Sequence, residues 1–265
     1  MRGYATRPLY VQKSLPLYPP LLAELRDRFH LRALDGWDDV LRAVPAAPAS
    51  AVFVVDPFDG PGGAPAPGLR TLLAAHPSTT VVAVLDVGPD SGGAVRNLLG
   101  WGVADVVALG VEDTPGAVRE RLLGAHARRL KGKAETALAP HLSAGGHALL
   151  LAAVEAAADG GGAGELARVL RASPRTVAAW CRRERLPNPR RLLAWARLLL
   201  AAALLDEGGR TVAQVARACG YTTDGALRRA LRTFPGRGAA ALRREGAFAA
   251  AALALAAELR AAGAR

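Results

Sequence analysis

Apolar positions follow two regimes along the chain, and the change between them comes near residue 130. In the first regime, short β-branched runs alternate with helical patterns. Ala51–Val55 (AVFVV), Val81–Leu85 (VVAVL) and Ala104–Leu109 (ADVVAL) are continuous apolar runs of four to six residues. A weaker opening strand falls at Leu9–Gln12, and a short run lies around Leu31. Helical spacing marks Leu21–Phe29, Trp37–Val44, Ala94–Gly100 and Pro115–His126, and the composition of Gly60–Gly68 (GPGGAPAPG) predicts a loop. Uniformly apolar strands separated by helices predict a doubly wound parallel sheet covered on both faces.

From His147 onward only helical periodicity remains, over roughly 147–158, 165–171, 174–184, 189–206, 211–219 and 223–233. A tail of about Ala239–Ala262 is interrupted by Gly246. Lys131–Gly146 mixes Lys, Pro, Gly and Ser with no period. The expected organisation is therefore an α/β domain over 1–130, a linker over 131–146, an all-α domain over 147–245 and a tail helix over 246–265.

Charge sharpens this division. The net charge is +11, yet residues 1–144 hold 15 Lys/Arg against 14 Asp/Glu, while residues 145–265 hold 19 Arg against 9 acids. Basicity confined to one domain predicts a polyanionic partner for that domain. No apolar run reaches the roughly 18 residues of a spanning helix, so nucleic acid is favoured over membrane. The N-terminal MRGYATRPLY lacks the apolar stretch of a signal peptide. Cys181 and Cys219 sit in helical apolar positions without metal or disulfide spacing, and a cytoplasmic setting is expected.

Two helix-turn-helix patterns lie in tandem within the basic half: Glu165–Glu184 and Thr211–Phe234. In the first, Ser173 is an N-cap followed by Pro174 at the favoured first position. Val177, Trp180 and Cys181 form an inward side, and Arg175, Ala178, Ala179 and Arg182 an outward side at i, i+3, i+4, i+7, flanked by Arg183 and Arg185. In the second, Thr223 caps a helix with Leu227, Ala230 and Leu231 inward and Gly225, Arg228, Arg229 and Arg232 outward. Gly220 ends the helix before it. The connecting helix of some 18 residues spans about 27 Å, compatible with the roughly 34 Å between successive major-groove faces.

With these residues in place, His147–Glu245 resembles the DNA-binding domain of the AraC/XylS family of bacterial transcription regulators. The likeness rests on Ser173, Pro189, Arg197, Ala201, Gly220-Tyr221, Arg229, Gly236 and Arg243 at matching spacing. It implies base-contacting positions at Arg175, Ala178 and Ala179 in the first reading helix, and at Asp224, Gly225, Arg228 and Arg229 in the second. Departures are the two alanines of the first helix, Leu227 and Leu231 where paired aromatics are usual, and Ala239 where proline is expected. Alanine touches a thymine methyl but donates no hydrogen bond to a base edge.

The α/β half resembles, in order of elements, the flavodoxin-like receiver domain of response regulators. The likeness implies a phosphoacceptor at Asp56. The other receiver positions read Gln12-Lys13 in place of an acidic pair, Asp86 in place of a hydroxyl and Gly110 in place of lysine. Phosphoryl transfer needs a metal held by acidic ligands and a cation on the phosphoryl oxygens, so the expectation is a degenerate receiver-like domain.

No G-x-G-x-x-G follows a strand, the five histidines lack ligand spacing, and Asp35, Asp38 and Asp39 suit a loop and a helix N-terminus. No catalytic residues, metal or cofactor are expected. The reading is a transcription regulator with duplex DNA, RNA polymerase and a second copy of the chain as partners. Its alternatives are a phosphorylation-controlled response regulator and a weakly selective nucleoid-associated protein.

Overall fold

A computed structural model of the chain describes residues 7–16, 25, 29–58, 64–86, 88, 92–111 and 114–263. Two compact units divide the chain at Arg129 and Leu130. In the first unit, β1 (Arg7–Gln12), β2 (Phe29–Leu34), β3 (Val52–Val55), β4 (Thr80–Asp86) and β5 (Asp105–Leu109) form one parallel sheet in the order β2-β1-β3-β4-β5. This is the flavodoxin-like order, with the topological switch between β1 and β3.

Side-chain alternation splits the strands between two cores. Tyr10, Phe53, Val55, Val81, Ala83 and Leu85 face α1 (Trp37–Ala43), α2 (Pro67–Ala75) and α3 (Gly92–Trp101), which contribute Val40, Leu69, Leu72 and Leu98. Leu9, Val11, Val52, Val54, Val82, Val84 and Val107 face Val118, Leu122 and Ala125 of α4 (Pro115–Leu138). The continuous apolar runs are thus buried on both faces, each fully buried valine or leucine contributing about 1.5–3 kcal/mol over exposure. The Tyr10 and Phe53 rings stack at 4.5 Å between centroids. β2 lies at the sheet edge, and its middle positions are exposed or half-buried, which is why its sequence run is weak.

Three expectations change. Helix α2 begins inside the segment read as a loop, because Pro67 is a first-turn proline rather than a breaker; residues 60–63 of that loop lie outside the described residues. Helix α4 continues to Leu138 through the first half of the expected linker, followed by a 3-10 turn at Ala139–His141. Of the helix expected over Leu21–Phe29, only Leu25 and Phe29 are described, and Phe29 opens β2.

The second unit is all helix: α5 (Ala144–Ala158), α6 (Ala163–Val169), α7 (Pro174–Arg183), α8 (Pro189–Leu205), α9 (Val212–Ala218), α10 (Asp224–Thr233), α11 (Ala239–Glu245) and α12 (Ala247–Gly263). Helix α8 is the hub, packing against α5, α6, α7, α9, α11 and α12. Twelve of its 17 residues are buried, so it has almost no solvent face. The tail is two helices, broken at Gly246 with φ 90°. The second, α12, has its first backbone N–H groups bound by Asp206, at 2.5 Å from Ala247 and 3.0 Å from Phe248.

Candidate nucleic-acid interface

Two pairs of helices pack against α8, α6 with α7 and α9 with α10. Each second helix is started by a hydroxyl. Ser173 Oγ accepts from the Thr176 N–H at 3.1 Å, and Thr223 Oγ1 from the Ala226 N–H at 3.1 Å. The turn before α10 needs Gly220, whose φ of 71° would strain any residue with a Cβ. The turn before α7 places Arg171 at φ 50°, a left-handed position without glycine. A capping box between Thr211 and Gln214 opens α9, and Asn188 caps α8 through the Arg191 N–H.

Val177 and Cys181 anchor α7, Leu227 and Leu231 anchor α10, and all four are buried, while Trp180 and Ala230 are half-buried. With those sides inward, Arg175, Ala179 and Arg182 of α7 are exposed and Ala178 is half-buried. Thr223, Asp224, Gly225, Arg228, Arg229 and Arg232 are exposed at α10. Each set shares one helix face by its spacing.

The arginines differ in how they are held. Arg183 Nε donates to Glu184 at 2.8 Å. Glu184 also accepts from Ser143 Oγ at 2.5 Å, and these two donors hold its carboxyl below the usual range. Arg228 Nε donates to Asp224 Oδ2 at 3.3 Å. Arg175, Arg182, Arg229 and Arg232 pair with no carboxylate among the described residues.

Behind this surface, sequence reasoning missed a supporting network. Arg191 donates Nε and NH2 to Glu258 at 2.6 and 2.8 Å, and Trp195 Nε1 donates to Glu258 Oε2 at 2.9 Å. Trp195 meets Phe234 edge-on, and the Arg191 guanidinium lies 5.0 Å from the Phe234 ring centre. The signal was present in the sequence only as three separated residues, since Arg191 and Glu258 are far apart in the chain. Burial pushes the Cys219 thiol up to about 12 and raises the Tyr221 hydroxyl as well. Both are structural groups.

In the first unit, Gln12 and Asp56, two of the positions compared with a receiver site, meet at the carboxyl ends of β1 and β3. Gln12, buried, accepts the Asp56 N–H on Oε1 at 2.7 Å, and Asp56 Oδ1 accepts the Phe58 N–H at 2.9 Å. Lys13 Nζ lies 2.6 Å from Asp35, and Asp39 pairs with Arg42. Asp39 is held below its usual range, first by the Asp35 N–H and then by Arg42. Gln12, Asp35, Asp39, Arg42 and Asp56, with Trp37, Asp38 and Ser14, line a pocket of about 680 Å³. Gly110, directly after β5, offers no cation. Among the described residues no three His, Cys, Asp or Glu side chains are grouped to hold a metal.

The capped turns, the buried anchors and the exposed arginine faces lie within one stretch of chain. Residues 166–245 match a family model described as a helix-turn-helix domain. That architecture sets its second helix against the duplex. The helix-turn-helix domain excludes α12, which follows it. No curated protein sequence matches the chain. Two solved structures are similar in part. One is full-length FixJ from B. japonicum, with 17% identity over 75% of this chain and 97% of that one, and a TM-score of 0.33. The other is the response regulator StyR, with 16% identity over 71% and 97%, and a TM-score of 0.35. No helix among the described residues is long and apolar enough to cross a membrane.

Proposed function

We propose that this chain is a sequence-reading transcription regulator that engages two successive major-groove segments through α7 and α10. The observation carrying this reading is the pair of capped helices joined by α8, each with an exposed arginine face. Helix α8, at about 1.5 Å per residue, sets a spacing of about 26 Å between the motifs. Unpaired Arg175, Arg182, Arg229 and Arg232 suit phosphates, and the alanines of α7 leave base reading mainly to α10. The division into a receiver-like domain, a short connection, a DNA-binding domain and a tail helix serves this function. The first unit supplies dimerisation or contact with a partner such as RNA polymerase.

Fluorescence anisotropy with duplex DNA across a salt series tests the reading. Neutralising six or more phosphates lowers affinity by about 10³-fold or more between 50 and 200 mM salt. Binding that ignores salt, or no binding to duplex, overturns it. Genome-wide footprinting separates a regulator, with a few sharp sites, from a weakly selective nucleoid-associated protein, with broad occupancy.

Control by phosphorylation is disfavoured in this reading, because Gln12 and Lys13 stand where metal ligands are needed and Lys13 is turned to Asp35. Incubation with acetyl phosphate and Mg²⁺ should give no adduct. A stoichiometric adduct lost in Asp56→Asn would reverse that conclusion.

A further inference from the structure

We propose that Arg228 reads a guanine through its guanidinium fork, and that Asp224 is the positioning residue that aims it. The inference rests on the DNA-binding reading above. Its starting point is the unequal treatment of the exposed arginines on the two outer faces and of Arg183 beside them. Arg175, Arg182, Arg229 and Arg232 pair with no carboxylate among the described residues, and Arg183 is tied at the C-terminal end of α7 to Glu184. Among these arginines only Arg228 is held in the first half of a second helix, by a carboxylate in its first turn, and that half of such a helix reaches base edges.

The geometry of that contact is selective. Asp224 takes Nε of Arg228, the inner nitrogen, at 3.3 Å. Both terminal NH2 groups remain for a pair of acceptors, and O6 and N7 of guanine present such a pair in the major groove. Gly225, between the two on the same exposed turn, adds no side chain to keep the duplex away. A free arginine spreads over many rotamers and settles on the nearest phosphate. One fixed through Nε has surrendered part of that freedom before binding.

A plainer account exists for Asp224. A carboxylate in the first turn is favoured by the helix dipole, and an i, i+4 pair steadies a helix slightly. That account treats Asp224 as a helix-stability residue and makes it a pure hindrance at a surface that meets phosphates. The two accounts therefore part over selectivity. If Asp224 only steadies the helix, its neutralisation strengthens binding to every sequence equally. If it aims Arg228, neutralisation strengthens binding to random duplex and weakens the preference for guanine.

The test uses the full chain. Selection from a randomised duplex library identifies the preferred site, and anisotropy then compares that duplex with one carrying adenine for guanine at each guanine in turn. The wild type should discriminate by about tenfold or more at one position, the scale of a bidentate arginine contact. Arg228→Ala should abolish that step. Asp224→Ala, which removes the acceptor, should reduce it to below about threefold while binding random duplex about two- to fivefold more tightly, the signature that loss of helix stability cannot produce. Arg229→Ala should weaken all duplexes together and keep the step. Circular dichroism checks that each variant is folded. An Asp224→Ala variant with wild-type discrimination overturns the positioning role, and an Arg228→Ala variant that still prefers guanine overturns the assignment of the reader. Salt-dependent binding without guanine preference at any position overturns this inference alone, whereas absence of salt-dependent binding overturns the proposed function with it.

Discussion

The Glu258 carboxylate joins α12 to α8 with three hydrogen bonds, and its removal offers a quantitative check on what the tail helix contributes. Two bonds come from Arg191, about half exposed, so solvent screening limits their coupling to about 1 kcal/mol or less. The third comes from Trp195, only 1% exposed. An indole N–H left there without an acceptor costs about 1–3 kcal/mol. Glu258→Ala should therefore destabilise the second unit by about 2 kcal/mol, or about 7 °C in its midpoint at about 3–4 °C per kcal/mol. Scanning calorimetry of the full chain measures this as a shift of one transition. The same substitution in a Trp195→Phe background should cost about 1 kcal/mol less, because no N–H is then stranded. Acid supplies a second axis. The Arg191 hydrogen bonds hold the Glu258 carboxyl below its ordinary 4.5 in the folded chain. Its contribution is thus present in full above that ordinary value and is lost as pH falls through the lower folded one. The gap between wild type and Glu258→Ala should stay constant from pH 7 to 5 and narrow as pH falls below about 4.5, leaving the part due to the Trp195 N–H, which a protonated carboxyl still accepts. A penalty equal in both Trp195 backgrounds, or a gap that widens on acidification, would refute this assignment.

Other expectations follow from single features. Ser173→Ala and Thr223→Ala remove the side-chain caps of α7 and α10 and should each cost about 1 kcal/mol in urea unfolding. Leu227→Ala empties a site under α10 that is 0% exposed and should cost about 2–5 kcal/mol by the same measurement. Gly220→Ala, at φ 71°, should lower stability by about 1 kcal/mol although its Cβ would meet only ordinary contact, 3.8 Å from the Gly160 Cα, measured as a shift in midpoint. Because Cys219 is buried with its thiol pushed up to about 12, an aromatic disulfide reagent at pH 8 should leave it unmodified in the folded chain and react with it readily in denaturant.

Legibility in the sequence followed physical locality. The strands buried on both faces announced themselves through runs of β-branched and other apolar residues, with buried polar groups such as Thr80 and Asp105 only at strand ends: Ala51–Val55 against the observed Val52–Val55, and Ala104–Leu109 against Asp105–Leu109. Local caps were equally readable at Ser173 and Thr223, which act within three residues of themselves, whereas the capping box at Thr211 came only with the structure. The edge strand β2 and the helix α2 were harder. Half of β2 faces water, and Pro67-Gly68 reads as a turn unless the proline is recognised as a first-turn residue. The end of α4 was missed because its last turns, KGKAETAL, have too few apolar residues to show a period. Unreadable altogether were the contacts that close over long stretches of chain, such as Asp206 on the start of α12 or Glu258 on Arg191 and Trp195. The family resemblance implied a base-contacting position at Asp224, while its hydrogen bond to Arg228 became visible only in the folded chain.

Alanine is frequent among the buried residues of the three helices α5, α8 and α12. Ala152, Ala153, Ala156 and Ala157 of α5 are buried, as are Ala196, Ala201, Ala202 and Ala203 of α8 and Ala247, Ala251, Ala252 and Ala256 of α12, beside leucines such as Leu149, Leu198 and Leu255. Alanine has no rotamers to freeze, so these positions are ordered at less cost than the leucines beside them. Their abundance also inverts the usual experiment. Truncation scanning is blind to residues that are already alanine, and the informative substitutions run the other way, toward valine or leucine, where an added methylene has nowhere to go. Tolerance of the hub to mutation is therefore set by its smallest residues, and enlarging any one of them should disturb both helix-turn-helix motifs at once.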